Sequence, residues 1–446
     1  MPTALISIGR SGAAAARASL ELTAQNIANA SNPDYARRTL DQSEVVGSAT
    51  IGLNSANSYG GVRIGTVARA ESELVQIQFR SATADLARTD AEMNGLRGAE
   101  TAIEQSRLFE SLVDFEAELV RLESDPLDPV LRTSTLETAR QLTNTFQLAN
   151  GSLAKNRDLL QSEITASMQN AQGIADELAR TNAELVKVRD GTAAKAALLD
   201  ARDASLRDLS QQFGIEVQFD DFGTANVSLA GTPQVTLVSG ANAATLGFAA
   251  DPEGRVEFNV DGQAFTPSSG ALSGRQSALD EMAAMQVDLD AIASQIITSA
   301  NAAQAGGSTS SGGAAPAFFT GNSASNIEVA LASGSDIATA PAGAPVGSRD
   351  VSNLRGLIGA LSADNGPAAA TDTLLLGVSS RISGLDTRRD GLSIIAQSAE
   401  TALLTATGVD LDAEAAALVR LQQAFEANSR IIQVAADLFD TILALR

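Results

Sequence analysis

The chain has 446 residues, with 53 acidic side chains against 31 basic ones and a formal net charge of -22. That balance argues against nucleic acid or an anionic membrane as a partner, because binding to phosphates depends on clustered Lys and Arg that release counterions. Cys, His and Trp are all absent and aromatic residues make up only 4%. Disulfides, thiolate nucleophiles, His-ligated metals and imidazole bases are therefore removed, and no catalytic residue, cofactor or metal site is expected.

The first element is a helix over residues 4 to 30. Ile6, Ala13, Leu20 and Ile27 recur every seven residues, flanked by the small residues Gly9, Ala16, Thr23 and Ala30, which let a second backbone approach closely. Pro33 ends the helical pattern. From Thr39 to Ala70, Val, Ile and Thr broken by glycines predict two or three short strands or an extended arm. Helical spacing then runs from Glu71 to Leu122 and from Val130 to Arg189, with Asp125, Pro126, Asp128 and Pro129 as the stop between them. A further helix carries Asp200 and Arg202, charges that read as a solvated face or a buried cap.

After Gly214 the period changes to alternation at Ile215, Val217, Phe219, Val227, Leu229, Val235 and Leu237, and again at Val256, Phe258 and Val260 before the Asp261-Gly262 turn. This is a β insertion. A helix is expected from Gln276 to Gln304, a mobile loop over the Gly, Ser and Ala residues of 305–316, and one or two strands from Ala317 to Pro345. Helix returns at Val351 to Leu361 and Asp372 to Thr407.

The last element, from Gly408 to Arg446, has Leu411, Leu418, Phe425, Ile432 and Phe439 at heptad period, with Leu421, Ala435 and Ile442 between them. A helix of about 35 residues is roughly 50 Å long and its seam needs a partner. The N-terminal helix is that partner, as a coiled coil or as an antiparallel pair within a globular core. The acidic residues Asp410, Asp412 and Glu414 suit the start of a helix, since Leu421 stands where a calcium loop would need its bidentate Glu. Ser152 and Lys155 form an S-x-x-K without the companion motifs of the penicillin-binding enzymes.

The expected fold class is α+β, mainly α. Residues 1–38 and 408–446 form a terminal coiled coil, 39–213 and 346–407 a long-helix bundle with the 273–304 helix leading to it, and 214–272 with 305–345 a β-rich outer domain.

Four stretches carry a family resemblance. The run LTAQNIANASNPDYARR, with Asn26, Asn29, Pro33 and Tyr35, resembles the N-terminal signature of the bacterial flagellar axial proteins, the rod, hook and hook-associated proteins. The usual Asn-Thr-Pro-Gly-Tyr is here Ser31, Asn32, Pro33, Asp34 and Tyr35, so the turn is expected to be type I instead of type II. Leu198, Leu199, Asp200, Arg202, Asp203, Leu209 and Ser210, together with the Phe318 and Phe319 pair, resemble the hook-associated members. The segment LVRLQQAFEANSRIIQVAADLFDTIL resembles the C-terminal signature, with Phe425 in place of Tyr.

The resemblance implies a structural, non-enzymatic flagellar protein, exported without a cleaved signal peptide, that joins hook to filament outside the cell. Implied partners are further copies in a ring, hook protein on one side, another hook-associated protein on the other, the export apparatus, and an export chaperone on the C-terminal helix. The implied assembly residues are Ile6, Leu20, Asn26, Ile27, Asn29, Pro33, Tyr35, Leu411, Leu418, Leu421, Phe425, Ile432, Phe439 and Ile442. The alternatives are the hook protein or third hook-associated protein, or an intracellular coiled-coil scaffold.

Overall fold

A computed structural model describes residues 2–45 and 60–444. The first helix, α1 (Pro2–Ala28), leads into an antiparallel hairpin of β1 (Arg38–Val45) and β2 (Gly61–Arg69). Four helices follow: α2 (Glu73–Ser106), α3 (Leu108–Ser124), α4 (Pro129–Leu185) and α5 (Ala193–Gln212). The helical pattern expected as one run from Glu71 to Leu122 is broken at Arg107, whose φ of 59° is left-handed and ends the i to i+4 ladder. Pro129 opens α4, where its missing N–H costs nothing, and the Asp128 carboxylate caps it by accepting from the N–H groups of Val130 at 2.7 Å and Leu131 at 3.4 Å.

Beyond α5 lie β3 (Ile215–Phe219), β4 (Ala225–Leu229), β5 (Gly231–Thr232), β6 (Val235–Ser239), β7 (Asn242–Ala243), β8 (Leu246–Ala250), β9 (Val256–Val260) and β10 (Gln263–Pro267). They make two four-stranded sheets, ordered β3-β4-β6-β7 and β5-β10-β9-β8. After α6 (Ala271–Ala305) come β11 (Gly307–Ser308), β12 (Phe319–Thr320), β13 (Glu328–Val329) and β14 (Ala340–Pro341). The chain closes with α7 (Ser352–Leu361), α8 (Pro367–Thr407) and α9 (Leu411–Ala444).

The core is built where the amphipathic faces of α2, α3, α4, α6 and α7 meet. Phe115 is fully buried and meets Phe318 at 5.9 Å and Phe319 at 6.1 Å in edge-to-face contacts. The same core continues into the sheets through Phe213, Phe258 and Phe265.

The 57-residue α4 is about 85 Å long and serves as a spine. Near its start Arg132 donates to the carbonyls of Gly334 at 3.1 Å and Ile337 at 2.9 Å, and Gln147 donates to Ile327 O at 3.0 Å. Further along, Gln161 donates to Gly254 O at 3.0 Å, and Asn182 both donates to and accepts from the backbone of Ala225. Residues 214–272 and 305–345 were expected to form one outer domain, but no ladder joins their strands. Their anchors on α4 stand about 20 Å apart, between Gln147 and Gln161, because a straight helix separates what alternation in sequence cannot.

Two further expectations are corrected. The 305–316 segment is not simply a loop, since Gly307 and Ser308 are buried as β11 against β14, in a space so tight that a Cβ on Gly307 would lie 2.4 Å from the Asn353 side chain. Of the stretch from 39 to 70, residues 46–59 lie outside the described residues, and the hairpin on either side of them belongs with the terminal pair instead of the bundle, because it lies on α1: Val62 N–H donates to Ser11 Oγ at 3.2 Å, Gln42 donates to Ser19 Oγ at 2.8 Å, and Asn26 donates to Arg38 O at 2.9 Å.

Candidate assembly interface and its charged joint

The terminal helices pair antiparallel. Gly9 faces Asn428 and Ile432 of α9, Gly12 faces Asn428, and Arg37, beyond the end of α1, reaches Glu414 at the start of α9. The small residues Gly9, Ala16 and Thr23 form a buried stripe on α1, with Ala15 and Leu22 buried next to it, while Ile6, Leu20 and Ile27 of the expected seam are only half-buried. On α9 the side facing α1 carries Glu414, Leu421, Asn428 and Ala435 at heptad spacing, with Ile432 against Gly9, so Leu421, Ile432 and Ala435 of the expected seam lie in the contact beside the polar Glu414 and Asn428. Small side chains bring the backbones together, and this sets a register that apolar content does not.

Half of the expected α9 seam is left open. Leu418, Leu421 and Ile432 are half-buried, whereas Leu411, Phe425, Phe439 and Ile442 are exposed, with Val419, Val434 and Leu438 beside them. Among the described apolar side chains of α9, Ala435 alone is buried.

Because a Cβ on Gly12 would stand 2.4 Å from Asn428 Oδ1, Gly12→Leu should force α1 and α9 apart at a cost of about 1–3 kcal/mol. Circular dichroism should show reduced helicity, and proteolysis should release both termini while the α2 to α6 core stays intact.

Where the pair meets the body, the signature loop builds a joint. Asn32 O accepts from Tyr35 N–H at 3.2 Å across the Pro33-Asp34 turn, and Asp34 is not in the positive-φ region, so the turn is of the type I kind that Asp in place of Gly predicts. Asn26 is 1% exposed and works within the chain: its Oδ1 accepts from Tyr35 Oη at 2.8 Å and from Arg38 N–H at 3.1 Å. Tyr35 in turn lies under the Arg38 guanidinium, 4.6 Å from its ring centre, and burial raises its pKa. Asn29 bonds back to Gln25 O at 2.9 Å, and exposed Pro33 offers its carbonyl to Arg207 at 3.4 Å. The four signature residues thus hold the end of α1 in place.

Hairpin register places Arg38 directly opposite Arg69, two like charges that would repel. Asp200 of α5 resolves this by accepting from Arg38 Nη2 at 2.6 Å and Arg69 Nε at 2.7 Å. Asp203, one turn on, accepts from Arg69 Nη2 at 2.7 Å, Gln76 at 2.9 Å and Arg202 Nη2 at 2.6 Å. Burial alone would lower the Arg69 pKa, yet Asp203 and Asp200 outweigh it and hold the pKa above its usual value. Of the two readings of Asp200 and Arg202, a solvated face or a buried cap, neither describes them fully: they are buried in an ion-pair network, because the hairpin and the β3 ring of Phe219, 4.1 Å below Arg202, cover it. On the outer side Glu414, whose side chain is 2% exposed, pairs with Arg37 at 2.6 Å, while Asp410 caps α9 by accepting from Asp412 and Ala413 N–H. Sequence reasoning missed Arg37, Arg38 and Arg69 as contributors, since nothing local distinguishes them from surface arginines.

Comparison with known proteins agrees with this architecture. The family described as "Flagellar hook-associated protein FlgK helical domain" matches residues 100–319, and "Flagellar basal body rod FlgEFG protein C-terminal" matches 402–445. The matches make the chain similar to flagellar hook-associated proteins over its helical core and to flagellar rod proteins at its C-terminal helix. Flagellar hook-associated protein 1 of Escherichia coli K12 is 27% identical over 271 residues, covering 59% of this chain and 48% of the relative. The protein of the same name from Salmonella typhimurium is 28% identical over 269 residues, covering 58% and 47%. The chain thus spans about half the length of these two relatives, whereas the Bacillus subtilis protein of that name aligns over 97% of this chain and 96% of its own length at 22% identity.

Among solved structures, "The structure of the flagellar hook junction protein FlgK from Burkholderia pseudomallei" matches with a TM-score of 0.62 at 13% identity, over 73% of this chain and 99% of that one. At that identity the likeness shows the fold, which is the mainly α, α+β arrangement expected of the hook-associated family. Among the described residues no helix is long and apolar enough to cross a membrane, and no cluster of acidic side chains is placed to hold a metal ion.

Proposed function

We propose that this chain is a junction subunit of the bacterial flagellum. After export it polymerises through its terminal helices into a ring outside the cell, with hook protein on one side and another hook-associated protein on the other. The observation that carries this reading is the uncovered apolar seam of α9: in a single chain Leu411, Phe425, Phe439 and Ile442 stay in water, and only neighbouring subunits of matching helical form would cover them together. The names of its relatives support a place between hook and filament. The same seam, before assembly, suits an export chaperone, which would shield α9 until the chain enters the export apparatus. No catalytic role belongs to this reading.

Immunogold labelling of intact cells is the test. Gold at the distal tip of hooks, together with filament loss in a deletion strain, is expected. Label along the whole hook would instead make the chain a hook protein, and label confined to the cytoplasm would make it a scaffold.

A further inference from the structure

A groove opens where α1, β1 and the first half of α9 meet. Its volume is about 380 Å³, and its walls carry Leu22, Leu40, Ala417 and Leu421 together with Arg37 and Arg420. Leu22 is buried, whereas Leu40, Ala417 and Leu421 are only half-buried, so apolar surface is left open to water there. Cavities that take a ligand run from about 300 to 1,000 Å³, and this one has room for the side chains of one helical turn.

Arg420 is exposed and has no hydrogen bond or ion pair among the described residues, and the positions three and four away on α9, Ala416, Ala417, Gln423 and Ala424, are uncharged. Nearby charges are already used. Arg37 is paired with Glu414, Arg38 with Asp200 and Arg17 with Glu21, while Asp41 accepts from Thr66 on the hairpin.

The far end of the same helix has the opposite need. Leu438, Phe439 and Ile442 share one side of α9 and are 46%, 44% and 53% exposed. Asp437 and Asp440 border that side three positions apart, so they repel each other, and both lie where the negative end of the helix dipole disfavours them. No basic side chain stands in the last turn, and neither carboxylate has a hydrogen bond or ion pair among the described residues. A straight helix holds Phe439 about 27 Å from Leu421, so this tip cannot reach the groove of its own chain.

We infer that the tip of α9 docks in this groove of a second copy, with Leu438, Phe439 and Ile442 on the apolar walls and Asp440 received by Arg420. Apolar side chains leave water on both sides, and charges that are unpaired in each copy meet across the contact. Because tip and groove are different surfaces of one chain, the contact is heterologous, and each copy passes it to the next instead of closing a pair. The contact rests on the reading that further copies cover α9, and it names the surface that covers the tip.

The chain has no cysteine, so the contact can be trapped. The purified full chain carrying Leu40→Cys and Phe439→Cys together is oxidised at concentrations where the unaltered chain self-associates. A ladder of covalent oligomers on a non-reducing gel is expected, and each single variant should stop at a dimer. In sedimentation, Arg420→Asp and Asp440→Arg should each raise the concentration needed for self-association by about tenfold or more, since like charges then face each other. Mixing these two variants, or placing both changes in one chain, should bring it back to within about threefold. Both positions are exposed, so circular dichroism of each variant should match that of the unaltered chain.

No ladder from the doubly substituted chain, or no recovery in the mixture, overturns the contact, and so does a chain that stays monomeric at every concentration. Immunogold labelling decides the junction reading separately. A ladder with label away from the hook tip sinks that reading and leaves the contact standing, whereas label at the tip without a ladder sinks the contact alone.

Discussion

Asp200→Asn should release the terminal pair from the body. The carboxylate lies between Arg38 and Arg69, with side-chain exposures of 11%, 9% and 7%, so neither cation has water to fall back on when it loses its partner. Removing one member of a buried ion pair costs about 3–5 kcal/mol, chiefly through the charge left behind. Arg69 keeps Asp203, whereas Arg38 keeps only its stacking on Tyr35, so the damage falls on the loop that carries α1. In hydrogen exchange the Arg38 amide, held by Asn26, should open about a hundred to a thousand times more readily, with the α3 and α4 core unaffected. Replacing both partners, as in Arg38→Met with Asp200→Leu, should recover much of the loss, because an apolar pair of similar volume carries no desolvation cost. Protection within tenfold of the unaltered chain in Asp200→Asn would show that the network is dispensable for holding the joint.

Periodicity made the helices legible, and did so for a physical reason. A helix that buries one face must repeat its apolar residues, and α1, α4, α6, α8 and α9 all do, so their existence and the pairing of the two termini followed from spacing. Register did not follow. Apolar residues mark what is to be covered eventually, and in α9 that includes surface which one chain leaves open, so the contact with α1 takes in Glu414 and Asn428 beside Ile432 and Ala435, while Leu411, Phe425 and Phe439 of the same seam stay exposed. The joint was illegible for a different reason. Arg38 and Asp200 are 162 positions apart, and charge pairing over such a distance leaves no period in either segment. The break at Arg107 and the burial of Gly307 and Ser308 were hidden likewise, one being a single left-handed residue and the other a matter of close approach by Asn353 and Ala338.

Phe425→Asp should leave the single chain almost as stable as before while abolishing its polymerisation. Phe425 is 38% exposed, so a charge there keeps contact with water in the monomer. Surface substitutions of this kind change stability by about 0.5 kcal/mol or less, and the melting temperature should move by no more than a few degrees. In a polymer the same position lies among Leu411, Leu418 and Ile432, side chains each worth roughly 1.5–3 kcal/mol when fully covered, and a carboxylate buried there without a partner opposes that gain with several kcal/mol. Sedimentation of polymerised material should fall to background, and cells carrying the variant should shed unassembled subunits into the medium. Limited proteolysis of the unaltered monomer supplies the complementary measurement. With one apolar side chain of α9 buried among those described, cleavage is expected first within 411–444 and only later in α2 to α6. A melting temperature lowered by ten degrees or more in Phe425→Asp, or an α9 that resists protease as long as α4 does, would mean that the seam is already closed inside the monomer and that assembly is driven from another surface.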